Sequence, residues 1–166
     1  PGENEPNDRL VMPPGEWIWK LAVIAFVYLT IYMTFGYYVA WRNPAIQAYY
    51  GGTDPGSFGG QLANVMRDTP WLPFFQLLRG LLWTIIALPV IRTMKGAWWE
   101  TGLAIGLTYA VLMNSGLILP NPIMPPAVRM AHLVETATSN FIFGWVVTWL
   151  LLRPTWSAPG LVKATT

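Results

Sequence analysis

The chain has 166 residues, more than half of them apolar, with only 11% charged side chains and ten tryptophans. A soluble domain usually carries about a quarter charged residues, so a soluble fold is excluded in favour of a polytopic membrane protein. The absence of cysteine rules out disulfides, thiolate metal sites and a cysteine nucleophile, and the net charge of +2 matters only by its placement.

Residues 1–16 are polar and proline-bearing and read as a solvated tail; they lack the basic start and short apolar core of a signal peptide. Crossing a hydrocarbon core of ~30 Å takes roughly 20 apolar residues in a helix. The first such window is 17–41. Trp17, Trp19 and Lys20 mark one interface, and Tyr37, Tyr38, Trp41 and Arg42 the other. Tyr28, Thr30, Tyr32 and Thr34 make this span unusually polar, and their hydroxyls are expected to bond back to their own helix carbonyls.

Residues 43–70 form a long extracytoplasmic loop. Its glycine-rich part, Gly51 to Gly60, is expected to be a flexible linker, with short interfacial helices at about 44–50 and 61–67. The second span, 71–91, is interrupted by Arg79 and contains Pro89, which removes a backbone donor near the inner end. The third span is 98–119. Its Gly102, Gly106 and Ala110 make a stripe of small residues that lets another backbone approach closely, within this chain or from another subunit. A proline-rich reversal leads to the fourth span, 127–152, and a short tail follows at 154–166. The fold class expected is therefore all-α, a four-transmembrane-helix bundle forming a single membrane domain over 1–166.

Basic residues set the orientation. Arg9, Lys20, Arg92, Lys95, Arg153 and Lys163 flank the spans on the side of both termini, and Arg42, Arg67 and Arg129 on the other, a bias of six against three. The positive-inside rule then places both termini in the cytoplasm of a bacterial inner membrane, with the glycine loop and proline turn outside.

Ionisable side chains at membrane depth are costly unless something inside the protein pairs with them. Arg79 and Glu135 each lie roughly 12–13 Å below the outer interface, with His132, Asn114 and Gln76 slightly shallower at about 8–9 Å. On the fourth helix, His132, Glu135 and Ser139 share one face, and Arg129, Thr136 and Asn140 widen it to a polar arc of roughly 140°. That arc should face inward and Leu133, Val134, Ala137 and Phe141 outward. The expected centre is an Arg79–Glu135 ion pair, with His132 and Asn114 completing its hydrogen bonds. Such a pair can be purely structural. It can also serve a proton relay or substrate site, or His132 can ligate a quinone, pigment or other cofactor. A di-metal bundle needs a second carboxylate–histidine pair, which the single histidine precludes. No metal site is expected, and there is no phosphate-cradling glycine loop with lysine, no nucleophile elbow and no basic patch for nucleic acid.

The run Pro120-Asn121-Pro122-Ile123-Met124-Pro125, followed by Val128-Arg129, His132, Glu135, Ser139-Asn140-Phe141 and Gly144, resembles bacterial four-helix inner-membrane proteins with no known activity. Phe75 to Gly80 and Leu88 to Arg92 are similar to the same group. The resemblance covers the last three spans and implies no substrate, cofactor or catalytic residue. Two function classes therefore stand. One is a non-catalytic subunit or scaffold within a larger membrane complex, respiratory or photosynthetic, packed against other subunits or copies of itself and against membrane lipids. The other is a small oligomeric transporter or lipid- or quinone-binding protein with a cavity at His132, Glu135 and Arg79. An enzyme is the less favoured reading, because no nucleophile or metal set accompanies His132 and Glu135.

Overall fold

A computed structural model describes residues 9–153, and among these the chain is all helical, with seven helices and no strand. The tail residues 1–8 and 154–166, with Lys163, lie outside the described residues.

α1 (Pro14–Phe35) opens on a proline in its first turn, where the missing N–H removes no helical bond. It continues without a break into a π-helical segment, Gly36–Trp41. Asn43 then caps α2 (Pro44–Tyr50), its side chain accepting from the Ala45 N–H, and Gly51 closes that helix at φ +68°, in the left-handed region that glycine tolerates. Ser57 caps α3 (Phe58–Asp68) through the Gly60 N–H. The expected flexible linker is thus shorter than its glycine content implied, because Gly59 and Gly60 belong to the first turn of α3.

α4 (Leu72–Thr93) runs through Pro89 near its end. α5 (Trp98–Leu112) starts with Glu100 accepting from the Ala97 N–H at 2.6 Å. It is shorter than the expected 98–119 span. Asn114 stops it: the buried side-chain amide donates to the carbonyls of Ala110 and Tyr109, taking the place of continuing helical N–H groups. A single turn, α6 (Ser115–Ile118), precedes the proline reversal, and α7 (Pro126–Leu152) begins on Pro126.

Two helices, Pro14–Trp41 and Leu72–Thr93, are each long and apolar enough to cross a membrane. α5 has 15 residues, a length of about 22 Å at 1.5 Å per residue. α7 has 27 residues, but its polar arc dilutes its apolar content.

α1 and α7 run antiparallel. At one end Lys20 is 1% exposed, ion-paired with Glu16 at 2.7 Å, and donates to the carbonyls of Arg153 at 2.9 Å and Leu151 at 3.3 Å. The lysine expected at the interface is therefore buried, closing the C-terminus of α7. The core between the helices is Ile24, Tyr28, Ala87, Ile91, Ile105, Tyr109, Phe143 and Val147. Tyr28 meets Phe143 edge-on at 4.7 Å and lies against Gly80, where an added Cβ would come within 2.7 Å of the tyrosine Cβ.

α5 and α7 form the most extensive helix pair. The small-residue stripe serves this internal contact. A Cβ on Gly144 would lie 2.9 Å from the backbone of Gly106, and one on Gly106 would lie 3.0 Å from the Phe141 ring and carbonyl. Gly102 faces the Trp145 indole, while Ala110 is half-buried one turn beyond Gly106.

Candidate functional site

The polar arc of α7 turns inward over part of its width: Glu135, Ser139 and Asn140 are buried and Val134 is exposed. His132 and Glu135, one turn apart, are joined directly, with Nδ1 2.8 Å from Oε2. The Tyr50 hydroxyl, from the end of α2, lies 3.1 Å from the other ring nitrogen, Nε2. With the ring neutral and the carboxylate ionised, Nδ1–H donates to Glu135 and Nε2 accepts from the Tyr50 O–H. Partial burial pushes the Tyr50 phenol above its ordinary value, and Tyr49 and the Glu135 charge add to that effect, so the hydroxyl keeps its proton at neutral pH. The array Tyr50–His132–Glu135 is thus a hydrogen-bonded chain across two elements 82 residues apart in sequence.

This chain borders a cavity of about 430 Å³. α1 contributes Tyr32 and Met33, the π-helical segment Gly36, Ala40 and Trp41, α2 Ile46 and Tyr50, α3 Gln61 and Val65, α4 its first residue Leu72, and α7 His132 and Glu135. The π segment borders the carboxylate: Glu135 Oε1 lies 3.8 Å from where a Cβ on Gly36 would stand, an ordinary van der Waals separation. π-helical turns inside α-helices recur at functional sites. Trp41 in turn packs over Gly52, where a Cβ would come 2.6 Å from the indole.

The expected Arg79–Glu135 ion pair is corrected. Among the described residues the Glu135 carboxylate is engaged by His132, and no salt bridge joins it to Arg79. The physical reason is proximity: an (i, i+3) partner on the same helix is held within reach by the helix itself, whereas Arg79 must be aimed from another helix. Arg79 is half-buried and acts electrostatically on Tyr28 and Tyr32, with Tyr32 also within the field of Glu135. Asn114 does not join the cluster either, because its amide is committed to α5.

The remaining residues of the expected cluster settle on nearby backbone. Thr136 donates to the His132 carbonyl at 2.6 Å and Ser139 to the Thr136 carbonyl at 3.2 Å. Arg129 reaches the Ile118 carbonyl at 3.3 Å, tying α6 to α7, while its buried Nε has no partner. Gln76 is buried on α4 and its Oε1 has no hydrogen-bond partner among the described residues. No group of three metal-ligating side chains occurs among the described residues. Sequence reasoning missed Tyr50, Trp41 and Tyr32 as cavity residues. The aromatic pair Tyr49-Tyr50 closing a short capped helix was the available signal, but its partner is distant in sequence.

No family model, curated protein or solved structure matches the chain. The functional reading therefore rests on the geometry of the cavity.

Proposed function

We propose that this chain is a non-catalytic, four-span membrane protein of the bacterial inner membrane that binds one amphipathic small molecule, of the lipid or quinone class, in the cavity beside His132 and Glu135. The observation that carries this reading is a space of about 430 Å³ with apolar walls and a short polar array, Tyr50–His132–Glu135, at one place on its rim. Small-molecule sites have this composition: mostly apolar lining, with a few polar groups that fix orientation. Large apolar side chains stand outward along all four long helices, among them Phe26, Leu82, Ile85, Leu107 and Val134. So extensive an apolar surface suits lipid or protein neighbours rather than water. With both termini cytoplasmic, as the basic residues indicate, the cavity opens toward the outer leaflet.

The test is gentle detergent extraction from native membranes, then mass spectrometry and an absorption spectrum of what remains bound. A stoichiometric amphiphile that is lost from the His132→Leu variant supports the proposal. A second reading, a subunit or scaffold in a larger membrane complex, is favoured by the exposed tryptophans Trp19, Trp71, Trp98, Trp99 and Trp149. Stoichiometric partner subunits with no small molecule retained would decide for it.

A further inference from the structure

We infer that the molecule held in this cavity presents an organic ammonium head, so that the site selects cationic or zwitterionic amphiphiles over carbonyl-headed ones such as quinones. This inference rests on the reading of the cavity as an amphiphile site. Three observations carry it. The first is charge. No lysine or arginine lines the cavity, and Glu135 does. One carboxylate oxygen lies 2.8 Å from His132 Nδ1, while Oε1, beside Gly36, has no hydrogen-bonding partner among the described residues. A carboxylate so placed favours a ligand that brings positive charge.

The second is the direction of the hydrogen bonds. In the tautomer with the proton on Nδ1, Nδ1–H donates to Glu135 and the Tyr50 O–H donates to Nε2. What the array leaves over is acceptor lone pairs, on Glu135 Oε1 and on the phenol oxygen. An ammonium head supplies its own N–H groups or polarised C–H groups to these acceptors, whereas a carbonyl head would have to turn to donors elsewhere on the wall, such as the Gln61 amide.

The third is the aromatic wall. Trp41 and Tyr50 both border the cavity, with ring centroids 6.3 Å apart and planes tilted by 44°, forming a corner, and Tyr32 adds a further ring. Cations are attracted to aromatic faces, tryptophan most strongly, and cages of this kind recognise quaternary ammonium groups. The indole lies against Gly52, where an added Cβ would come 2.6 Å from it. Met33, Ile46, Val65 and Leu72 provide apolar surface for the methyl or alkyl groups.

The experiment compares two probes on the full chain in a neutral maltoside detergent: decyltrimethylammonium, and its uncharged isostere in which carbon replaces nitrogen. The expected result is at least about tenfold tighter binding of the cation, equivalent to about 1.4 kcal/mol. Glu135→Gln should remove most of that preference, and Trp41→Leu should reduce it several-fold. Equal binding of the two probes by the unaltered protein overturns the ammonium inference but leaves the amphiphile site standing. Binding of neither probe, with no other amphiphile retained from native membranes, overturns both. Competition distinguishes the natural sources. Displacement of the probe by phosphatidylethanolamine or phosphatidylcholine nanodiscs, but not by phosphatidylglycerol nanodiscs, assigns the head to a phospholipid. Displacement only by soluble alkylammonium assigns it to a free amine.

Discussion

One helix, α7, meets its neighbours in two opposite ways along its length. Over its second half it lies against α5 so closely that the Gly106 and Gly144 backbones touch. There Thr148 donates to the Gly144 carbonyl at 3.0 Å, so its one polar group is satisfied within the helix. Over its first half it faces α1, the π-helical segment and α2 across a cavity, and its polar groups reach outward, His132 to Tyr50 and Glu135 toward Gly36. The difference lies in side-chain volume. Glycines facing glycines remove the spacer between helices. Aromatic residues facing a histidine and a glutamate hold the elements apart and leave space that side chains do not fill.

Substitutions should separate the two regions sharply. The largest effect is expected from Gly144→Val, which forces branched carbons into a backbone contact that cannot yield. Overpacking of this kind costs about 3 kcal/mol, and the thermal unfolding midpoint in detergent should fall while any surviving folded protein still binds ligand. Lys20→Met should rank next. It removes a charged donor from the carbonyls of Leu151 and Arg153, a loss of about 2 kcal/mol, seen as easier proteolysis at the end of α7. Glu135→Gln keeps an acceptor for His132, so stability should change by less than about 1 kcal/mol, while retention of the bound amphiphile drops. Thr148→Val should be the smallest. Its hydroxyl bonds only to its own helix, and the midpoint should move by no more than about 0.5 kcal/mol equivalent. A stability loss from Glu135→Gln equal to that from Gly144→Val would show the cavity end to be as tightly packed as the seam, and the contrast would fail.

Helix type was legible wherever the signal was local. The Asn43-Pro44 cap and the glycine at 51 bracket α2, and long apolar windows announce α1 and α4. The stripe at Gly102 and Gly106 announced a close approach, though not that its partner was Gly144 of the same chain. His132 and Glu135 were legible as one face of one helix. The error was to seek the partner of Glu135 on another helix, because depth along a helix can be counted from sequence while rotation about its axis cannot. The same ignorance of rotation hid Tyr50 and Trp41. The early stop of α5 turned on Asn114, whose amide could equally have faced the bundle or its own helix. The π turn at Gly36 leaves no periodic trace in a window that is apolar throughout.

The bond from Lys20 to the carbonyls of Leu151 and Arg153 joins residues 131 and 133 positions apart. It therefore has a place in time as well as in space. During synthesis α1 is made before α7, and its lysine waits for acceptors that emerge 131 and 133 residues later. Meanwhile Glu16, one turn earlier, already pairs with it at 2.7 Å, so the lysine need not wait as a bare charge. Synthesis of the end of α7 is then what latches the start of α1. A nascent protein halted before Leu151 should stay open to protease near Lys20, and extension past Arg153 should close it.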